Sequence, residues 1–223
     1  MTATSSTLWR VELHCHTMFS PDSLTRPQAI VAACRQRGID RIAITEHNNI
    51  AGALAVRSLA PDLVIVGEEI KTTAGEILAW FLSEEVPKGL SPEETIRRLR
   101  GQGAVISLSH PLDPSRGSSA MGLEATLSII EQVDALEVFN ARCLRPDPNE
   151  AARRLAEDYG KLMHASSDAH TAGEIGTAVT LMPPFDDAES FRRSLAQATF
   201  QARLSGAHVR LFSRYAAMVK RGR

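Results

Sequence analysis

The chain has 223 residues, 43% of them hydrophobic and 23% charged, which is enough for one large globular domain with a full core. Twenty-five Lys and Arg against 26 Asp and Glu leave a formal net charge of -1, so no global field draws it to nucleic acid or to an acidic membrane. MTATSSTLWR at the start has no basic segment leading into an apolar run, no stretch has membrane-spanning length, and Cys15, Cys34 and Cys143 form no disulfide or C-x-x-C framework. The expectation is a cytoplasmic protein with reduced thiols and no membrane partner.

In chain order, WRVELH predicts a first strand, followed by a helix from about Pro27 to Arg37 that Gly38 closes. RIAIT predicts the next strand, with a helical segment around Ile50 to Leu59, and LVIVGEEI and EILAWFL read as successive strands. Ser91-Pro92-Glu93-Glu94 has the pattern of a capping box with Pro at the first helical position, opening a helix that stops near Gly103. AVISLS, ALEVF and LMHASS predict further strands, separated by helices beginning near Leu123 and Asn149. This alternation points to βα units around a parallel or mostly parallel sheet. IAIT, LVIV and VISL are apolar without alternation, as expected of strands covered on both faces. An open doubly wound sheet and a closed barrel both fit, and either builds its site beyond the strand C-termini.

The metal-competent residues fall at those strand ends. His14-x-His16 ends the first strand, Asp22 follows in a loop, Glu46-His47-Asn48 ends the second and Glu68-Glu69 interrupts the third. Ser109-His110-Pro111, Glu137 to Asn140, and Asp168-Ala169-His170 end three later ones. Residues i and i+2 of a strand share a side, so His14 and His16 can converge while Cys15 faces away, and Asp168 and His170 can do the same. Imidazoles with carboxylates suit Mn, Zn or Fe, and a carboxylate such as Glu69 can bridge two ions. Any one of these short motifs is weak by itself, since H-x-H is common and T-E-H-N and S-H-P read equally as a cap and a turn. Their recurrence on successive strand ends is specific. His164, inside LMHASS, reads as a core or supporting residue, and His208 as a solvated one.

The segments ELHCHT, SPDS, ITEHN, VGEEI, GEILAWF, LSHP, EVFN and SSDAH, in this order across about residues 10 to 177, resemble the PHP (polymerase and histidinol phosphatase) superfamily. The resemblance implies an α/β fold, a distorted (β/α)7 barrel with two or three divalent ions (Mn, Zn or Fe) at the strand C-termini. The PHP domain is expected over residues 8–205, and the charge pattern of the end of the chain predicts a basic helical appendage over 206–223. Carried over by position, His14, His16, Glu69 and Asp168 resemble the ligands of one ion, His110 joins Glu69 at a second, and Asp22, His47 and His170 resemble the set for a third. Three positions depart from the family pattern: Glu46 where Asp is usual, Glu76 where many members have His, and Glu137 with Asn140 where some have a further His. With Glu68, these are candidates for ligation or for supporting the ligands.

The implied activity is hydrolysis of phosphate esters by a metal-activated water, with Glu46, His170 or metal-bound water as proton donor to the leaving oxygen. Arg116, Arg142 and Arg145 are candidate phosphate clamps, with Lys71 behind them. The compact chain and SDAHT-x-x-x-IG resemble small stand-alone members acting on nucleotides or other small phosphomonoesters. Two alternatives stand: a 5'-3' exonuclease or phosphodiesterase on short nucleic acid, and a catalytically inert metal-binding regulatory module. The last 16 residues, HVRLFSRYAAMVKRGR, carry five Lys and Arg and no acid. They read as a terminal helix docked through Val209, Phe212, Ala216 and Val219 with its charges in water, or as a basic arm that brings an oligonucleotide to the metals.

Overall fold

The computed structural model describes residues 8–222. MTATSST, most of the segment read above for a leader, and the final Arg223 lie outside the described residues. Among the described residues there are nine strands: β1 (Trp9–Glu12), β2 (Arg41–His47), β3 (Val64–Lys71), β4 (Glu76–Trp80), β5 (Val105–Leu108), β6 (Ala135–Asn140), β7 (Leu162–Ser166), β8 (Ala178–Met182) and β9 (Thr199–Ala202). The helices are α1 (Pro27–Arg37), α2 (Ala51–Leu59), α3 (Pro92–Gly101), α4 (Gly122–Ile129), α5 (Asp147–Asp158), α6 (Ala188–Leu195) and α7 (Val209–Arg221). None of these is long and apolar enough to cross a membrane.

One sheet holds all nine strands in the order β7-β6-β5-β4-β3-β2-β1-β8-β9. β1, β2 and β3 are parallel neighbours, as are β5, β6 and β7, while β4 runs against both of its partners. The sheet curls until β7 meets β8, where the Thr180 hydroxyl bonds both the N–H and the carbonyl of Ala165. A distorted barrel results, which decides between the two architectures left open by the sequence. It departs from a strict (β/α)7 repeat: residues 72–75 join β3 and β4 without a helix, residues 167–177 join β7 and β8 without one, and β8 is antiparallel to β1.

Alternation along the strands explains where the site lies. Val11, Leu13, Ala43, Ile65, Leu78, Trp80, Val105 and Ala135 form one apolar cluster with Phe191 of α6, filling the lower barrel. Ile42, Ile44, Val66, Ile70, Ile77, Ile106 and Leu136 belong to a second cluster, packed under the outer helices. Further along the inward-facing registers come His47 (after Ala43), Glu69 (after Ile65), Ser107 (after Val105) and Glu137 (after Ala135), so the interior turns from apolar to ionisable toward the strand C-termini. Gly67 falls between Ile65 and Glu69, where a Cβ would stand 2.7 Å from the Ala79 carbonyl and 2.9 Å from Thr45 Cγ2. The missing side chain there leaves room for Trp80, whose indole donates to the Leu13 carbonyl at 3.0 Å.

Candidate metal centre

Two ligand-bearing segments are joined through their backbones. Cys15 and Ala169 form a parallel bridge, with His16 N–H donating to the Ala169 carbonyl (2.8 Å) and Ala169 N–H to the His14 carbonyl (3.1 Å). Cys15 and Ala169 face the outer apolar cluster, which turns His14, His16, Asp168 and His170 to the inside. Glu12 holds the same join from below, accepting from Ser167 N–H at 2.9 Å and Gly176 N–H at 3.1 Å.

The donor atoms converge. His14 Nε2 and His16 Nε2 lie 3.0 Å apart. Both are 3.3–3.4 Å from Glu69 Oε2 and 3.4–3.5 Å from Asp168 Oδ1. Four ligands each about 2.1 Å from one ion would stand about 3.4 Å apart in a tetrahedron, so these residues fit a divalent cation. Glu69 reaches further with its other oxygen, 3.2 Å from His110 Nε2, and Glu76 Oε2 stands 3.7 Å from that same nitrogen. On the opposite side Asp22 Oδ2 lies 2.9 Å from His170 Nε2 and 3.5 Å from His47 Nε2, while His47 Nδ1 is 3.1 Å from Glu69. The groups that can each hold an ion are therefore His14-His16-Glu69, His16-His47-His170 and Glu69-Glu76-His110. All eight residues expected above as ligands, with Glu76, come together in one connected cluster of donor atoms.

Charge follows geometry. Burial by itself would raise the Glu69 carboxyl, but His14 and His47 overcome it and hold it well below the carboxylate range. For Asp168 burial is likewise overcome, by His14 and Arg116. Burial, reinforced by His170 and His47, pushes His16 down to about 3, leaving a neutral imidazole with its lone pair available to an ion. Glu76 moves the other way, raised by burial and by Glu69.

Behind the ligands stands a layer that orients them. His14 Nδ1 meets Glu137 Oε1 at 3.0 Å, and Glu137 Oε2 accepts from His110 N–H at 2.7 Å and Asn140 Nδ2 at 3.0 Å. Glu137 and Asn140 both turn inward because a bulge follows Glu137, where the register with β7 skips a residue. Ser109 donates to Glu69 at 2.6 Å. Arg116 is committed to Asp168 (2.6 Å) and Asn140 (2.9 Å). Arg142, itself buried, contacts His170 Nδ1 at 2.6 Å and Glu174 at 3.3 Å. Both guanidiniums thus hold protein groups at the site, and Arg145 is on the surface beside Asp147.

Glu46 and Glu68 lie on the outward registers of their strands. Glu46 accepts both N–H and hydroxyl of Thr17 and the Ser20 hydroxyl, and Ser20 in turn meets His16 Nδ1 at 3.1 Å. Glu68 accepts from Val86 N–H at 2.9 Å, and burial pushes it up to about 8. His164 is buried, with Ser107 Oγ 2.8 Å from its Nε2.

α7 lies over the rim. Arg142 Nη2 donates to the Val209 carbonyl (3.1 Å) and to Ser213 (2.5 Å), Arg210 donates to the Arg142 carbonyl (2.9 Å), and Lys220 donates to the carbonyls of Met18 and Ser20. Val209 and Ala216 are buried as expected, whereas Phe212 is largely exposed and Arg210 and Lys220 turn to the protein instead of to water. Lys220 and Arg221 border a cleft of about 520 Å³ with Asp22, His47, Lys71 and Glu76. Sequence reasoning missed Lys220, Glu12 and Ser20; only Glu12 carried a signal, standing two residues before His14 in an apolar strand.

The PHP-associated family matches residues 146–200. An uncharacterized protein of Methanocaldococcus jannaschii is 37% identical over 148 residues, which make up 59% of this chain and 82% of that one. A two-domain protein of Bacteroides vulgatus containing a predicted PHP-like metal-dependent phosphoesterase superposes with a TM-score of 0.74 at 22% identity, over 88% of this chain and 65% of that chain. The lesion-specific endonuclease PfuEndoQ of Pyrococcus furiosus gives 0.67 at 14% identity, over 86% and 56%. The chain thus spans less than two thirds of either crystallised protein.

Proposed function

Because the chain belongs to the PHP superfamily, we propose that it hydrolyses phosphate esters with two or three divalent ions, Mn, Zn or Fe, acting as a phosphatase on nucleotides or other small phosphomonoesters in the cytoplasm. The observation that carries this reading is the set of imidazole and carboxylate atoms 3.0–3.5 Å apart around His14, His16, Glu69 and Asp168. In this reading those four hold one ion, Glu69, Glu76 and His110 a second, and Asp22, His47 and His170 a third. The bound ions supply Lewis acidity, which brings the pKa of water from 15.7 toward about 7 and neutralises charge on the phosphoryl oxygens.

The protein's own groups do the rest. Asp22 and His47 are the most open ligands, with side chains 27% and 20% exposed, so the ester enters from their side. Lys71, Lys220 and Arg221 border that approach and attract the dianion. Arg116 and Arg142 keep Asp168 and His170 in place. Glu46 is occupied by Thr17 and Ser20, and both ring nitrogens of His170 are engaged, by Asp22 on one side and Arg142 with the Asp168 carbonyl on the other. The leaving oxygen therefore takes its proton from water in the cleft. The cationic border also favours a second reading, hydrolysis of short nucleic acid.

Asp168→Asn tests the reading. Asp168 has φ 52°, a backbone region that Asn tolerates as well as Asp does, so the substitution removes charge without disturbing the turn. The manganese-loaded protein is expected to hydrolyse monoesters faster than diesters or single-stranded oligonucleotides, and the variant to lose about 10³-fold or more with an unchanged circular dichroism spectrum. Preference for oligonucleotides would favour the nuclease. Metal binding without turnover of any ester would establish the inert module.

A further inference from the structure

α7 separates two openings to the metal residues. One is the charged cleft. The other is a groove of about 450 Å³ lined mainly by Leu24, Phe212, Tyr215 and Ala216, with one cation, Arg26, and with Asp22 and His170 in its wall. Asp22 borders both openings. A phosphate on an ion that Asp22, His47 and His170 would hold would therefore have its ester substituent beside one or the other.

The two openings differ in chemistry. Lys71, Glu76, Lys220 and Arg221 border the cleft, where an apolar substituent would strip water from charges without replacing it. The groove instead presents Phe212 and Tyr215, one turn apart on α7 and 56% and 58% exposed, facing Leu24, itself 43% exposed. Aromatic rings left open beside a buried polar centre are surfaces that a flat group covers with gain. The volume is that of a small-molecule pocket, and metal-competent side chains stand in the groove's wall, which sets it apart from a surface that merely docks another protein.

We propose that this groove is the subsite for the alcohol half of the substrate, and that Phe212 and Tyr215 select phosphate esters whose alcohol carries a planar ring. The assignment rests on the phosphoesterase reading. Non-hydrolysable phosphonates separate the two. Phenylphosphonate is expected to bind the manganese-loaded protein about tenfold more tightly than methylphosphonate, the increment of one stacked ring, when both are titrated calorimetrically. The double variant Phe212→Ser/Tyr215→Ala, which alters two exposed positions and leaves the core filled, is expected to bring that ratio close to one while methylphosphonate affinity holds. A ratio near one in the unmodified protein, or equal weakening of both ligands in the variant, overturns the subsite. Retained discrimination without hydrolysis of aryl or alkyl phosphates would sink the phosphoesterase reading alone, and failure of both phosphonates to bind would overturn both.

Discussion

His110 and Asp168 both have positive φ, 30° and 52°, although neither is glycine. Such backbone costs of order 1–3 kcal/mol and persists where the surroundings over-determine it. Here Glu137 grips His110 N–H and Arg116 grips the Asp168 carboxylate, so the strain sits on two residues that aim donors into the pocket. His164 carries a different cost. It is fully buried, its Nδ1 has no partner among the described residues, and burial lowers its pKa from the ordinary 6.5 to about 4. The unfolded chain takes up this proton below pH 6.5 and the folded chain only below about 4. Stability is therefore fully present above 6.5 and is lost as pH falls through 4, by at most about 3 kcal/mol. Urea unfolding at pH 7.5 and at pH 5 is expected to show a shallower pH slope for His164→Gln than for the parent, and parallel slopes would exclude His164 as a source of acid sensitivity.

At the level of elements, the strand ends were legible and their supports were not. H-x-H, D-A-H and the paired acids Glu68-Glu69 of β3 are short local patterns; the first two lie just past the ends of β1 and β7, where the Cys15–Ala169 bridge turns them inward, and the ligand set itself is what the family resemblance implies. Glu46 and His47 are adjacent, so only one of them can face inward; the alternation Ile42-Ile44 against Ala43-Thr45 assigns the inward side to His47. The bulge that turns Asn140 inward has no such signature, and β9, whose residues are mostly exposed, has no apolar run to announce it. The partners of Arg116 and Arg142 come from loops and from α7, which only the tertiary fold brings near. One helix contact makes a prediction. Gly52 opens α2 against Glu46, and a Cβ there would lie 1.9 Å from Glu46 Oε1 and 2.7 Å from Thr17 Oγ1. Ala in place of Gly normally stabilises a helix by up to about 1 kcal/mol. Glu46 cannot yield without releasing Thr17 and Ser20, so Gly52→Ala is expected to cost roughly 1–3 kcal/mol instead. A raised urea midpoint would show that Glu46 is free to move.

Across the whole molecule, the polar pocket and the apolar plug share one barrel interior. Trp80, Leu13 and Phe191 fill the lower half, while Glu69, Glu137 and Asp168 sit above them, almost fully buried. Buried carboxylates offset their desolvation only through opposite charge, and the histidines supply that charge only while protonated, a state that competes with ligation. Divalent ions satisfy both demands, so the protein is expected to be more stable with them than without. An ion present at a thousand times its dissociation constant adds about 4 kcal/mol to folding. For a chain of this size that amounts to a rise in Tm of about 10 °C. Scanning calorimetry with EDTA and with added manganese would measure it. The plug does not depend on the ligands, so far-ultraviolet circular dichroism at 20 °C is expected to be the same in both states, with the loss confined to the melting temperature. An unchanged Tm on complete metal removal would mean that the cluster is held together by its protons and hydrogen bonds alone, and would take away the physical basis for a metal centre.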